Sequence, residues 1–295
     1  MNSITYKLTL AAVAGALSVL APTTQAQKAY PSPTAAADAL VDGLARRDGE
    51  TLKAALGANY RQYIPTGGID ADDAVEFLAA WAASHQIVEV GAKKALLAAG
   101  TQGWTLPIPI VKTAAGWRFD PQAGADEMRT RRIGRNELAV MQVLLAYTDA
   151  QEEYAARDRN GDGVKEFATR FLSTPGRHDG LYWTTAAGEA ESPMGRLVAE
   201  ARPGQPFHGY LYRMLLAQGR DAPGGGKSYL RNAHMTEGYA LLAWPARYGD
   251  TGVMSFMVSR AGAVYEKDLG PRGDATAKAM TSFNPDASWK KVDLK

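Results

Sequence analysis

The sequence predicts an α+β protein built as two units. Three observations carry that prediction. Between residues 30 and 121, helix-periodic segments come first and strand-like runs follow. The longest periodic segment, Ile133 to Tyr154, precedes four further apolar runs of strand length. No internal repeat or low-complexity tract interrupts either stretch. Helices followed by strands, rather than alternating with them, is the α+β order. With 46% hydrophobic and 22% charged residues, the chain has enough apolar side chains to bury a core.

The first unit is read over residues 27–121. Pro31, Ser32 and Pro33 open an Ala-rich helix that places Ala36, Leu40 and Leu44 on one face. A second, short helix runs from Glu50 to Leu56 and stops at Gly57. Asp70 caps a third, with a stripe of Val75, Leu78 and Ala82 beside Phe77 and Trp81. The pattern then changes to strands at Ile87–Val90, Ala95–Leu97, Trp104–Val111 and Trp117–Phe119, with turns at Gly91, Gly100–Gly103 and Ala115–Gly116. This order, closed by a hairpin from Trp104 to Gly116-Trp117-Arg118-Phe119-Asp120, resembles the nuclear-transport-factor-2-like (cystatin-like) domain. Such domains often hold a pocket between helices and curved sheet. Trp81, Trp104 and Trp117 either line one or fill the core.

The second unit is read over residues 122–295. Polar residues 122–132, with Arg129, Arg131 and Arg132, begin a connecting helix. From Ile133 to Tyr154 the helix sets Val140, Leu144, Tyr147 and Tyr154 on one face, beside Met141 and Leu145. Strands are expected at Gly209–Ala217, Tyr239–Trp244, Val253–Val258 and Ala263–Lys267, the last two joined by a tight turn at Ser259–Gly262. A long helix packed on a four-stranded antiparallel sheet resembles the head of type IV pilins and pseudopilins. The residues that carry this are Asn136-Glu137 through Tyr154, Asp162-Gly163, Thr251 to Phe256 and Gly262 to Tyr265. A pilin also needs an apolar half-helix before its head. Here a folded unit takes that place, so fibre assembly is not implied.

Residues 1–26 read as a secretory signal peptide. Lys7 is basic, Leu8–Leu20 is an apolar run, Pro22 breaks it, and Thr24-Gln25-Ala26 offers small residues around a cut after Ala26. The run is shorter than the roughly 20 residues of a spanning helix. The expected location is therefore periplasmic or secreted, with nothing membrane-embedded. The absence of cysteine rules out thiol catalysis, thiolate metal sites and a lipid anchor on a processed cysteine. A net charge of +2 gives no case for nucleic acid as a partner.

Asp158-x-Asn160-x-Asp162-Gly163 begins like an EF-hand loop. Its side-chain oxygens can converge because glycine permits the sharp turn. Glu166 falls at position 9, but position 12 is Thr169 rather than the bidentate Glu. The residues are compatible with a looser calcium site at Asp158, Asn160, Asp162 and Glu166, or with an ordinary helix-ending turn. No other cofactor is implied. Gly224-Gly-Gly-Lys227-Ser228 resembles the end of a phosphate loop, but Asp221 stands where its first glycine belongs. Arg129, Arg131, Arg132 and Arg135 are read as a solvated helix face paired with Asp126, Glu127 and Glu137, or as a clamp between units. His85, His178, His208 and His234 show no metal-ligand spacing on one helix, and no Gly-x-Ser-x-Gly elbow exists. The weak catalytic candidates are His178, Asp179, His208 and Glu237.

Several words span the second unit: Ile133-Gly-Arg-Asn-Glu-Leu, Arg157-Asp-Arg-Asn-Gly-Asp-Gly-Val, Phe171-Leu-Ser-Thr-Pro-Gly, Asp179-Gly-Leu-Tyr-Trp, Tyr248-Gly-Asp-Thr-Gly-Val-Met and Val264-Tyr-Glu-Lys-Asp-Leu-Gly. On these the mature chain resembles the domain-of-unknown-function 2950 family of exported bacterial proteins. That resemblance implies location and fold, and no activity. The expected role is a non-enzymatic envelope module that binds a protein, a surface polymer or a small ligand. The alternative is an envelope-directed hydrolase in which the fold pairs Asp179 with Glu191 or Glu237.

Overall fold

A computed structural model of the chain describes residues 27–62, 71–185, 191–195 and 204–293. The leader with its cut after Ala26, and Asp70 as a helix cap, lie outside these residues. The chain divides into two compact units, Met1–Ala125 and Asp126–Lys295.

In the first unit, α1 (Pro33–Ala45) starts where Ser32 Oγ accepts from the Ala35 N–H and Pro33 supplies a preset first φ. It buries Ala36, Ala37, Leu40 and Leu44. Asp48 caps α2 (Gly49–Leu56), which stops at Gly57 with φ 92°. Helix α3 (Ala71–Ala83) turns Phe77, Leu78 and Trp81 toward the core but leaves Val75 59% exposed. The expected stripe fails at Val75 because this helix is apolar almost all round, so periodicity does not choose a face.

Four strands follow as an antiparallel meander: β1 (His85–Glu89), β2 (Lys94–Ala99), β3 (Ile110–Thr113) and β4 (Gly116–Phe119). The strand expected over Trp104–Val111 is reduced to its end. Pro107 and Pro109 lack the N–H a ladder needs, so regular pairing begins at Ile110. Leu97, Ile110 and Phe119 bury against Leu40, Leu44 and Leu56. Tyr30 and Trp117 exchange two backbone hydrogen bonds, 2.7 and 2.8 Å, which covers part of the β4 edge. A Cβ on Gly116 would lie 2.6 Å from the Tyr30 carbonyl oxygen, and its φ is +126°, so this approach requires glycine. Strand β1 has no outer strand partner among the described residues.

The second unit is organised by α4 (Pro121–Ala155), whose Val140, Val143, Leu144, Tyr147, Ala150 and Tyr154 are buried. Between α4 and the sheet, the chain forms the loop described below. The strands are β5 (Tyr210–Leu215), two short ladders, β6 (Ala217–Gln218) with β7 (Lys227–Ser228) and β8 (Leu230–Arg231) with β9 (His234–Met235), then β10 (Ala240–Pro245), β11 (Met254–Ser259) and β12 (Val264–Asp268). Helix α5 (Gly273–Ala279) and β13 (Lys290–Lys291) complete it. The antiparallel order is β13-β12-β11-β10-β5. The sheet therefore has five strands rather than the expected four, because two residues near the C-terminus pair with Tyr265 and Glu266. Every residue of β10 is buried, which erases the two-residue alternation of a half-exposed strand.

Helix and sheet are joined by hydroxyls as well as by packing. Tyr147 donates to the Ala240 carbonyl at 3.3 Å, and Tyr239 donates to the Thr148 carbonyl at 3.1 Å. Gly252 lies so close to Tyr210 that a Cβ there would overlap the phenol ring. No helix among the described residues is long and apolar enough to cross a membrane.

Candidate functional site

Helix α4 ends in a loop that begins at Ala156 and returns to the core at Phe167 and Ala168. Arg159 closes the helix by donating to the carbonyls of Glu153 and Tyr154 at 3.3 and 3.4 Å. The return is fixed by Gln151, which is fully buried. Its amide donates to the Ala168 carbonyl at 2.9 Å and accepts the Ala168 N–H at 2.8 Å. Thr169, at the position where an EF-hand carries its bidentate Glu, is exposed.

Within the loop, Asp158 Oδ1 accepts from Gly161 N–H at 2.8 Å and Oδ2 from Gly163 N–H at 2.9 Å. These amides, Gly163 first, hold the Asp158 carboxyl below the usual carboxylate range. Asn160 Oδ1 accepts the Asp162 N–H at 3.1 Å, and Asp162 Oδ1 accepts the Val164 N–H at 2.8 Å. Four side-chain oxygens of the expected calcium set are therefore spent on the turn, two from Asp158, one from Asn160 and one from Asp162. The Asn160 amide nitrogen donates to Asp162 Oδ2 at 2.8 Å and Glu166 Oε1 at 2.9 Å.

One further side chain reaches this point from elsewhere in the chain. His234 Nδ1 lies 3.1 Å from Glu166 Oε2 and 3.6 Å from Asp162 Oδ2. One ligand atom from each of Asp162, Glu166 and His234 falls within 4.8 Å of the others. Sequence spacing cannot find this group, because His234 stands 68 residues from Glu166 on a different element. Its nearest carboxylate in sequence, Glu237, pairs with Arg231 at 2.9 Å instead.

The weak catalytic candidates each make their own local contacts. His178 stacks on Trp183, ring centroids 4.3 Å apart. Asp179 caps the backbone at Thr174, accepting its N–H at 2.7 Å and its hydroxyl at 2.8 Å. Burial pushes the Asp179 carboxyl up, but the Thr174 bonds and nearby Arg170 together hold it below the usual range. His208 sits at φ 48° against Phe207. Among the described residues, no hydrogen bond, ion pair or ring contact joins any two of His178, Asp179, Glu191, His208 and Glu237.

The other sequence features resolve locally. Gly224–Gly226 closes the β6–β7 ladder, with Gln218 donating to the carbonyls of Pro223 and Gly225, and a strand rather than a helix follows. Arg129 pairs with Asp126 and Arg131 with Glu127 on α4, while Arg132 pairs with Asp250 of the same unit. Glu137, expected among those partners, instead accepts the N–H groups of Val253 and Met254, both at 2.9 Å. In the first unit, Trp104 is 46% exposed and meets Phe77 edge-on at 6.1 Å. Phe77 adjoins Trp81 at 6.4 Å, and Trp81 stacks on His85 at 3.8 Å.

The family model described as "Protein of unknown function (DUF2950)" matches residues 27–292. No curated protein and no solved structure matches the chain. The chain belongs to that family of unknown function.

Proposed function

We propose that this member of the DUF2950 family is an exported, non-enzymatic envelope module, and that it binds through the aromatic face of its first unit. Export rests on the leader read in residues 1–26. The observation that carries the binding reading is the run Trp104–Phe77–Trp81–His85, which ends at the start of the open-edged strand β1. A large aromatic left 46% exposed beside stacked neighbours forgoes part of its burial free energy. Trp104 thus exposes apolar surface beside the partly buried Phe77 and Trp81, and exposed apolar surface is a mark of interaction sites. Flat, rigid rings suit the apolar faces of sugar rings, which favours a surface polymer over a small ion, and a net charge of +2 offers little attraction to nucleic acid.

The test is retention of the purified chain on immobilised peptidoglycan and on envelope polysaccharides. Trp104→Ala and Trp81→Ala should each lower retention by about tenfold, equivalent to about 1.4 kcal/mol of binding, while the circular dichroism spectrum is kept. Retention equal to the parent in both variants would remove the aromatic face as the binding surface. Release of soluble fragments from the polymer would replace the module reading with the hydrolase one.

A further inference from the structure

We propose that Asp162, Glu166 and His234 form a binding site for a divalent first-row transition ion, zinc being the simplest occupant. This differs in chemistry from the calcium loop that the sequence suggests, and it does not depend on the aromatic face of the first unit.

Ligand type is the first argument. Calcium takes six to eight oxygens, whereas imidazole with carboxylates suits zinc and its neighbours. Both carboxylate oxygens of Asp158, the amide oxygen of Asn160 and Asp162 Oδ1 already accept backbone N–H groups of the turn, which leaves Asp162 Oδ2 facing His234. The loop is thus short of oxygens for calcium, and the side chain brought in from outside it supplies nitrogen.

Spacing is the second argument. Ligand atoms about 2 Å from a tetrahedral zinc lie about 3.3 Å from one another. The His234 nitrogen is 3.1 Å from Glu166 Oε2 and 3.6 Å from Asp162 Oδ2, on either side of that value. Three protein ligands would leave a fourth position for water, and the side chains are 36% (Asp162), 18% (Glu166) and 31% (His234) exposed, enough for solvent to reach it.

The third argument is that, besides the Met235 N–H donated to Glu166 Oε2 at 3.3 Å, the two segments are registered by bonds that do not involve these side chains. Phe167 N–H donates to the Met235 carbonyl at 2.8 Å, immediately beside Glu166 and His234, and both residues are buried. Gln151 fixes the next residue, Ala168, by two hydrogen bonds. His234 follows a two-residue turn in which Asn232 and Ala233 both have positive φ, 50° and 70°, the signature of a tight hairpin. The backbone therefore sets the ligand spacing, and the ion would not have to gather its ligands from a disordered chain. Among the described residues, His234 is the only basic side chain that forms an ion pair with either carboxylate. His234 carries charge only when protonated, and as a neutral ligand it would leave the divalent ion as the countercharge of the two carboxylates.

The experiment uses the full purified chain after chelator treatment and dialysis. Cobalt(II) serves as a spectroscopic probe, and zinc and calcium are titrated separately by calorimetry and thermal melting. Expected results are one equivalent of cobalt with visible ligand-field absorption, its displacement by zinc but not by excess calcium, and a melting temperature raised by zinc. His234→Ala and Glu166→Gln should each weaken zinc binding by at least about tenfold, and His234→Ala should match the metal-free parent in its melt without metal. Zinc affinity unchanged in both variants would overturn the site. So would stabilisation by calcium without zinc, which would return the loop to the calcium reading, or no response to any ion, which would leave a hydrogen-bonded turn. The cobalt spectrum of the parent chain stands even if a variant fails to fold.

Discussion

In the second unit most of the large rings are inside: Tyr147, Tyr210, Tyr229, Tyr239 and Phe256 are essentially inaccessible, while Tyr248 is 38% exposed. Each of these tyrosine hydroxyls has a partner. Tyr210 donates to the Met254 carbonyl at 2.9 Å, Tyr229 to Gln218 Oε1 at 3.2 Å and Tyr239 to the Thr148 carbonyl at 3.1 Å. In the first unit Phe119 is buried, but Trp104 is half exposed and the Trp81–His85 stack begins at an open strand edge. The difference separates two uses of aromatic residues. Buried tyrosines with satisfied hydroxyls specify one packing, because any other arrangement strands a polar group. A half-exposed ring such as Trp104 constrains the packing less and leaves apolar surface available to a ligand. The second unit should therefore be intolerant of core change, and the first tolerant of change on its aromatic face.

The largest expected effect tests the intolerant side. Leu144 on α4 is fully buried, so Leu144→Asp places a carboxylate with no partner in the core of the second unit. The cost should be about 4 kcal/mol or more, comparable with the whole stability of a marginal domain. Leu138 lies on the same helix and is 60% exposed, so Leu138→Asp should change stability by less than about 0.5 kcal/mol. Urea unfolding followed by circular dichroism separates the two. Equal midpoints for both variants would break the contrast between the faces of α4.

The second prediction concerns alkali. Burial raises the phenols of Tyr154 and Tyr229 from 10.0 to about 12, and burial also drives those of Tyr147, Tyr210, Tyr212 and Tyr239 upward. A raised phenol means that the folded state holds its proton more tightly than the unfolded state. The associated stability is full below pH 10 and is lost as pH rises from about 10 through 12. The second unit, which holds all six, should unfold in that window. Tyrosinate absorbance should appear together with the loss of its ellipticity. Absorbance that rises gradually near pH 10 with structure retained would show that the phenols are open to solvent.

How much of this was legible in the sequence depends on the kind of constraint. The α+β order, the N-terminal helices and the long helix of residues 121–155 follow from periodicity and caps such as Ser32, which act within a few residues. The four main strands of the second unit are bounded by Gly and Pro turns, and each falls close to its expected place. Helix α5 was missed because it is short, has no side-chain cap at Arg272 and shows no apolar stripe. Val75 falls off the buried face because α3 is apolar on every side but the one with Asp72, Asp73 and Glu76, which sets the phase only loosely. At the site, the Asp158–Glu166 loop announced itself through Asp, Asn and Gly spacing. The turn chemistry that spacing encodes also accounts for where Asp158 and Asn160 point. His234 carried no local signal, since its approach to Glu166 is created by the β8–β9 hairpin and the Phe167–Met235 bond. Convergence of that kind belongs to tertiary structure and has no period or spacing to read.

The smallest expected effect sharpens the tolerant side of the comparison. Trp104→Ala removes a ring that meets Phe77 edge-on and is 46% exposed. An aromatic pair contributes about 0.5–1.5 kcal/mol beyond area burial, and the exposed half of the ring contributes little. The variant should thus lose no more than about 2 kcal/mol, against about 3–5 kcal/mol for removing a fully buried Trp. Thermal or urea unfolding of the first unit measures the difference. A loss above about 3 kcal/mol would mean that Trp104 belongs to the core of its unit. The aromatic face would then be packing surface, and the contrast between the two units would vanish at the residue on which it most depends.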